Sequence, residues 1–139
     1  MRSVLLDAGP QIVLFATDDQ YHAYYDKLIS ELSVTDLRLI TTWPCVVEAS
    51  YLLGIPLRYE LLRWIELGGV VMHPFNPHKL ADIVNWVENY TEAGKREMDF
   101  ADATLYWVAS ETEVREIMTI DVRDFSRYRL PDGQSFSIL

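Results

Sequence analysis

Residues Ser3 to Pro10 read SVLLDAGP. An apolar run this short is a strand, and its lack of polar alternation marks one buried on both faces. It ends on Asp7. Gly9 and Pro10 then turn the chain, and Pro10 suits the opening of a helix that runs to Phe15. Similar runs recur downstream: LRLITT (Leu37 to Thr42), VVMH (Val70 to His73), EIMTI (Glu116 to Ile120) and FSIL (Phe136 to Leu139). Helical stretches separate them. Asp18 and Asp19 are caps in waiting for Tyr21 to Leu32. Pro44 opens a helix that Gly54 closes, and Pro56 opens another that Gly68 and Gly69 close. PFNPH (Pro74 to His78) is a loop, followed by a helix from Lys79 to Tyr90. REMDFADATLYWVASE (Arg96 to Glu111) and the short VRDFS (Val122 to Ser126) complete the set. Short apolar strands alternating with helices predict βαβ units: a central parallel sheet in a three-layer α/β/α sandwich. Ligands in such sheets bind beyond the carboxyl ends of the strands. Asp7 and Asp121 each directly follow a strand.

The chain has 139 residues, half of them apolar, which predicts a single domain over 1–139 with a sizeable core. No apolar run approaches a membrane span, and the amino-terminal run is too short for a signal peptide, so the expected compartment is the cytoplasm. The lone Cys45 permits no internal disulfide, and one cysteine with three scattered histidines argues against zinc. The net charge of −9 opposes nucleic-acid binding unless the acids gather around cations.

Four acids stand out for their apolar neighbours: Asp7 after VLL, Glu48 within PCVVEASYLLG, Asp102 within MDFADATLYWVA, and Asp121 after EIMTI. A buried carboxylate needs a hydrogen bond, a counter-charge or a metal. Helix capping accounts for several of them singly. Asp99 with Asp102, and Asp121 with Asp124, have the spacing of an N-cap and its third residue, and Asp7 can cap the turn at Gly9. Capping does not account for Glu48. On a helix Glu48 aligns with Pro44, Tyr51 and Leu52, a face expected to point inward. The twelve lysines and arginines are spread elsewhere. Oxygen ligands from separate elements suit Mg²⁺ or Mn²⁺.

With these residues in this order, the chain resembles the PIN-domain ribonucleases, and most of all the VapC-type toxins of bacterial toxin–antitoxin pairs. LLDAGP is similar to that family's first acidic motif, with Asp7 as its aspartate. His22 matches a histidine often found after the first loop. VVEASYLLG is similar to the second motif, with Glu48. MDFADATLYWVA is similar to the third, with Asp102 at its main acidic position and Asp99 one turn before. MTIDVRDF is similar to the fourth, with Thr119, Asp121 and Asp124.

The resemblance implies a PIN-like fold and Mg²⁺-dependent cleavage of single-stranded RNA to 5′-phosphate and 3′-hydroxyl ends, with Mn²⁺ as a substitute ion. It also implies a homodimer and a neighbouring antitoxin protein, with no membrane partner. In that reading Asp7, Asp102 and Asp121 hold the metal and Glu48 orients the attacking water. Asp99, Thr119 and Asp124 support them, and Arg123, Arg127 and Arg129 are placed to touch RNA phosphates. An alternative is a catalytically silent PIN-like module that only binds RNA or protein. Two other acid-bearing folds fit less well. A receiver-type signalling domain needs paired acids after the first strand and a lysine near the end, yet no lysine follows Lys95. A haloacid-dehalogenase-like phosphatase needs Asp-x-Asp where this chain has Asp7 and Gly9.

Overall fold

The computed structural model describes residues 1–92, 94 and 96–139. Five parallel strands form one sheet: β1 (Arg2–Leu6), β2 (Leu37–Thr41), β3 (Val71–Met72), β4 (Glu116–Met118) and β5 (Ser137–Ile138), in the order β3-β2-β1-β4-β5. The helices are α1 (Ala8–Phe15), α2 (His22–Ser33), α3 (Trp43–Leu53), α4 (Leu57–Glu66), α5 (Leu80–Tyr90), α6 (Phe100–Thr112) and α7 (Val122–Arg127). The expected three-layer α/β/α architecture is thus present. Strand β1 is central, and Val4, Leu5 and Leu6 are wholly buried. Val4 and Leu6 pack on one face with Val13, Tyr25, Leu39 and Met118. Leu5 packs on the other with Ile40, Cys45, Leu105 and Ile117. Alternate residues therefore feed two cores, which is why the run shows no polar alternation. Chain order reverses at β1, which pairs with β2 on one side and β4 on the other. That reversal opens a crevice at the strands' carboxyl ends.

Several boundaries differ from the sequence reading, each for a local reason. Strand β4 stops at Met118 because Thr119 turns its hydroxyl to Asp7. Strand β3 has two residues because its partner β2 ends at Thr41. Loop PFNPH runs into a short 3₁₀ turn, Pro77–Lys79. Asp19 Oδ1 accepts from the Tyr21 amide at 2.8 Å, at the start of the expected helix, but α2 itself begins at His22, with Tyr21 as its N-cap and no side-chain bond there. Helix α6 begins at Phe100, later than expected. Arg96 pairs with Glu92 in an isolated antiparallel bridge, and Asp99 is the cap.

The largest correction concerns α3. Its inward face is Cys45, Val46 and Ala49, while Val47, Glu48, Tyr51 and Leu52 are exposed. Small residues line the buried side because α3 lies against α1 and α6. Gly54 ends α3 at φ +68°, a conformation that glycine adopts without strain. Among the described residues, no helix is long and apolar enough to cross a membrane.

Candidate active site

Asp7, Glu48, Asp99, Asp102 and Asp121 line one cavity of about 230 Å³ at the carboxyl ends of β1 and β4, with Ala8, Gly9 and Ile120. A side chain at Gly9 would put its Cβ 3.1 Å from Ile120, so glycine keeps this wall thin. Three of these acids are placed by helix capping. Asp7 caps α1: its Oδ1 accepts from the Ala8 amide at 2.8 Å. Its Oδ2 accepts from the Thr119 hydroxyl at 2.7 Å. Thr119 Oγ1 also accepts from the Asp121 amide at 3.0 Å, tying the two strand ends together. Asp99 caps α6, accepting from the Asp102 amide at 2.8 Å. Asp121 caps α7, accepting from the Asp124 amide at 3.2 Å. The capping reading is therefore correct for Asp7, Asp99 and Asp121, and it coexists with a shared cavity. Capping uses one carboxylate oxygen and sets the direction of the other.

The carboxylates of Asp102, Asp121 and Asp124 each offer an oxygen within 4.8 Å of the others. Asp7 sits on the wall of the same cavity, outside this tightest trio. Among the described residues, no salt bridge reaches Asp7, Glu48, Asp99, Asp102 or Asp121. Like charges thus gather in partial burial without cations, and their acidities respond. Burial pushes Asp102 up to about 8, helped by the charges of Asp99 and Asp7. Burial pushes Asp7 up to about 6, against the opposing bonds from Thr119 and Ala8. Asp121 is also raised, by burial and then by the Asp124 side chain. A divalent cation would relieve this repulsion. The donor set is all carboxylate oxygen, which fits a hard ion such as Mg²⁺ or Mn²⁺.

No protein-family model and no curated protein matches the chain. Among solved structures, Mycobacterium tuberculosis VapC20, a toxin that cleaves the sarcin–ricin loop, is similar with a TM-score of 0.70. The match covers 87% of this chain and 92% of that one, at 16% identity. This chain has the PIN-domain fold.

Within the PIN fold the other singled-out residues fall as follows. Glu48 stands at the exposed rim of the cavity. Its carboxyl is partly desolvated against the wall, which with the charges of Asp99 and Asp7 pushes its pKa above the usual glutamate range. His22 does not line the cavity: its Nδ1 donates to the Val13 carbonyl at 2.7 Å, joining α2 to α1. Arg127 is committed inside the protein. Its Nε donates to Asp124 at 3.1 Å, and its guanidinium lies over the Tyr90 and Tyr128 rings. Arg129 donates to the carbonyls of Ser126 and Tyr128. Arg123 is exposed, with no protein partner among the described residues.

Two tyrosines at the site went unread in the sequence. Tyr25 donates to the Thr119 carbonyl at 3.0 Å, and Tyr128 donates to Asp102 Oδ2 at 2.9 Å. Both look like ordinary core aromatics in sequence. Nothing local flags a hydroxyl whose partner lies on a distant element.

Proposed function

We propose that this chain is a metal-dependent endoribonuclease that cuts single-stranded RNA, and that it is the toxin of a toxin–antitoxin pair. The observation that carries the proposal is the convergence of the Asp102, Asp121 and Asp124 carboxylates beside Asp7, at the strand reversal of a PIN fold. Asp102 and Asp121, with Asp124 or Asp7 completing the set, would hold Mg²⁺ or Mn²⁺. When bound, such an ion supplies Lewis-acid stabilisation of charge developing on a phosphodiester. Thr119 fixes the Asp7 carboxylate, and Asp99 fixes the amide of Asp102. Glu48, on the open rim, is placed to orient a water for attack on phosphorus. The P–O3′ bond then breaks, leaving a 5′-phosphate and a 3′-hydroxyl. Arg123 is the arginine of its segment with a side chain free for an RNA phosphate.

The proposal includes a homodimer and an antitoxin partner. An apolar groove of about 500 Å³ lined by Trp43, Val47 and Phe100 adjoins the acidic cavity, sharing Glu48 and Asp99 with it. Tyr51 continues this face along α3, 78% exposed. A second copy covering that face would remove it from water.

Purified, partner-free protein incubated with single-stranded and duplex RNA tests the reading. Cleavage of the single strand with Mg²⁺ or Mn²⁺, abolished by EDTA and leaving 5′-phosphate ends, is the expected result. Absence of cleavage with either ion would favour the silent binding module.

A further inference from the structure

We infer that Tyr128 is a positioning residue of the acid cluster: its buried hydroxyl holds the Asp102 carboxylate in the orientation that faces Asp121 and Asp124. The inference rests on the metal-dependent reading above. It begins from an asymmetry among the acids. Asp7 receives two hydrogen bonds, Asp121 receives one from a backbone amide, and Asp124 is held by an arginine. Asp102 lies in the first turn of α6 and is not a cap, so backbone geometry does not aim its side chain. Among the described residues, the Tyr128 hydroxyl is the protein donor to its carboxylate. The bond falls on Oδ2 and leaves Oδ1 free to serve as a ligand.

Tyr128 can do this because it cannot move. It is wholly buried, edge-on to Phe125 at 5.2 Å and to Tyr90 at 5.1 Å. The Arg127 guanidinium lies 5.0 Å from its ring centroid. The two residues are consecutive, and each grips a different carboxylate: Arg127 holds Asp124, and Tyr128 holds Asp102. Asp121 caps the same short helix at its other end. Helix α7 and its C-cap therefore touch all three carboxylates of the cluster and tie α6 to β4. A phenol suits this task better than a cation would. It orients the carboxylate without cancelling the negative charge that a divalent ion needs.

Tyr128→Phe tests the inference, since it keeps the ring and its packing and deletes only the donor. Tyr106→Phe is the matched control: its hydroxyl donates to the Arg129 carbonyl and touches no carboxylate of the cluster. The measurement is Mn²⁺ binding by isothermal titration, after circular dichroism has shown that each variant is folded. Tyr128→Phe should raise the Mn²⁺ dissociation constant by roughly 10–100-fold, and Tyr106→Phe should leave it unchanged. A wild-type dissociation constant in Tyr128→Phe would overturn the role of Tyr128 while leaving the metal site intact. An equal loss in both variants would overturn it in favour of general support of the fold. Wild-type protein that takes up no Mn²⁺ would overturn the metal reading itself. An Asp102→Asn background supplies a second test that stands apart from the stability of the single variant. There, removing the hydroxyl should add nothing to the loss of affinity, and a full additional loss would show that Tyr128 does not act through Asp102.

Discussion

Adjacent strands β1 and β4 carry charges at both ends, and the two ends are built on opposite principles. At the amino end Arg2 meets Glu116 in a two-bonded ion pair, its Nε 3.0 Å from Oε1. Acid and base are matched there, part-exposed, in an ion pair that solvent screens. At the carboxyl end Asp102 and Asp121 share a cavity with Asp7 and gather with Asp124 in a carboxylate trio, and Arg127 alone among the described residues pairs with any of the four. Burial and mutual repulsion raise three of these carboxyls. The difference is that the carboxyl end leaves Asp7, Asp102 and Asp121 without a cationic partner among the described residues, and the proposed metal site rests on that imbalance.

Substitution at the two ends should break the comparison most sharply. Asp7→Asn and Asp121→Asn should each lower RNA cleavage by more than about a hundredfold, beyond the 10–100-fold typical of outer partners of a metal. Both variants should melt no lower than wild type in the absence of metal, because each swap removes one of several repelling charges. Loss of folding in both would mean that capping, not chemistry, is the reason for these residues. Glu48→Gln comes next. Cleavage should fall by on the order of a hundredfold, as for a group that positions or deprotonates water. RNA binding and melting temperature should persist, since Glu48 is exposed and no salt bridge reaches it among the described residues. Cleavage at the wild-type rate would end its assignment.

Acidity and metal should sharpen the same contrast through stability. Burial pushes the native carboxyls of Asp7 and Asp102 up to about 6 and about 8, above the ordinary aspartate value of 3.8. Between those limits the native state binds more protons than the unfolded chain, so stability falls as pH rises. The Asp7 contribution is lost by about pH 6 and that of Asp102 by about pH 8. Metal-free protein should therefore gain more than about 1 kcal/mol on going from pH 8 to pH 5. About ten millimolar Mn²⁺ (well above weak-site affinities) should raise the melting temperature at pH 8 and flatten the pH dependence. A hundredfold excess over the dissociation constant corresponds to about 2.7 kcal/mol, or roughly 10 °C for a domain of this size. Melting curves insensitive to both pH and Mn²⁺ would remove the contrast between the two ends. The smallest effect is expected at the amino end: Glu116→Gln should barely lower the melting temperature and leave cleavage unchanged. A large loss of activity there would place function at both ends of the sheet.

The sequence by itself determined the layered α/β architecture, because period-free apolar runs and helical stretches reflect local chain physics. It also marked Asp7 and Asp121 as strand-end acids and Asp99 as a cap, since a cap bonds to an amide two or three residues away. It did not determine which side of α3 faces inward. WPCVVEASYLL is apolar on most sides, so its periodicity cannot choose; packing of α3 on α1 and α6 buries the small residues and leaves Glu48 on the rim. Nor did it show that Asp124 joins Asp102 and Asp121 more closely than Asp7 does, that Arg127 is committed to Asp124 and two tyrosine rings, or that the exposed Arg129 bonds backbone carbonyls. The bonds that decide the site join Asp7 to Thr119 across 112 positions and Asp102 to Tyr128 across 26. Such pairs come together only when the sheet sets β1 beside β4 and α7 folds back onto α6. No local preference encodes them, because their geometry belongs to the packed layers and to no single segment of the chain.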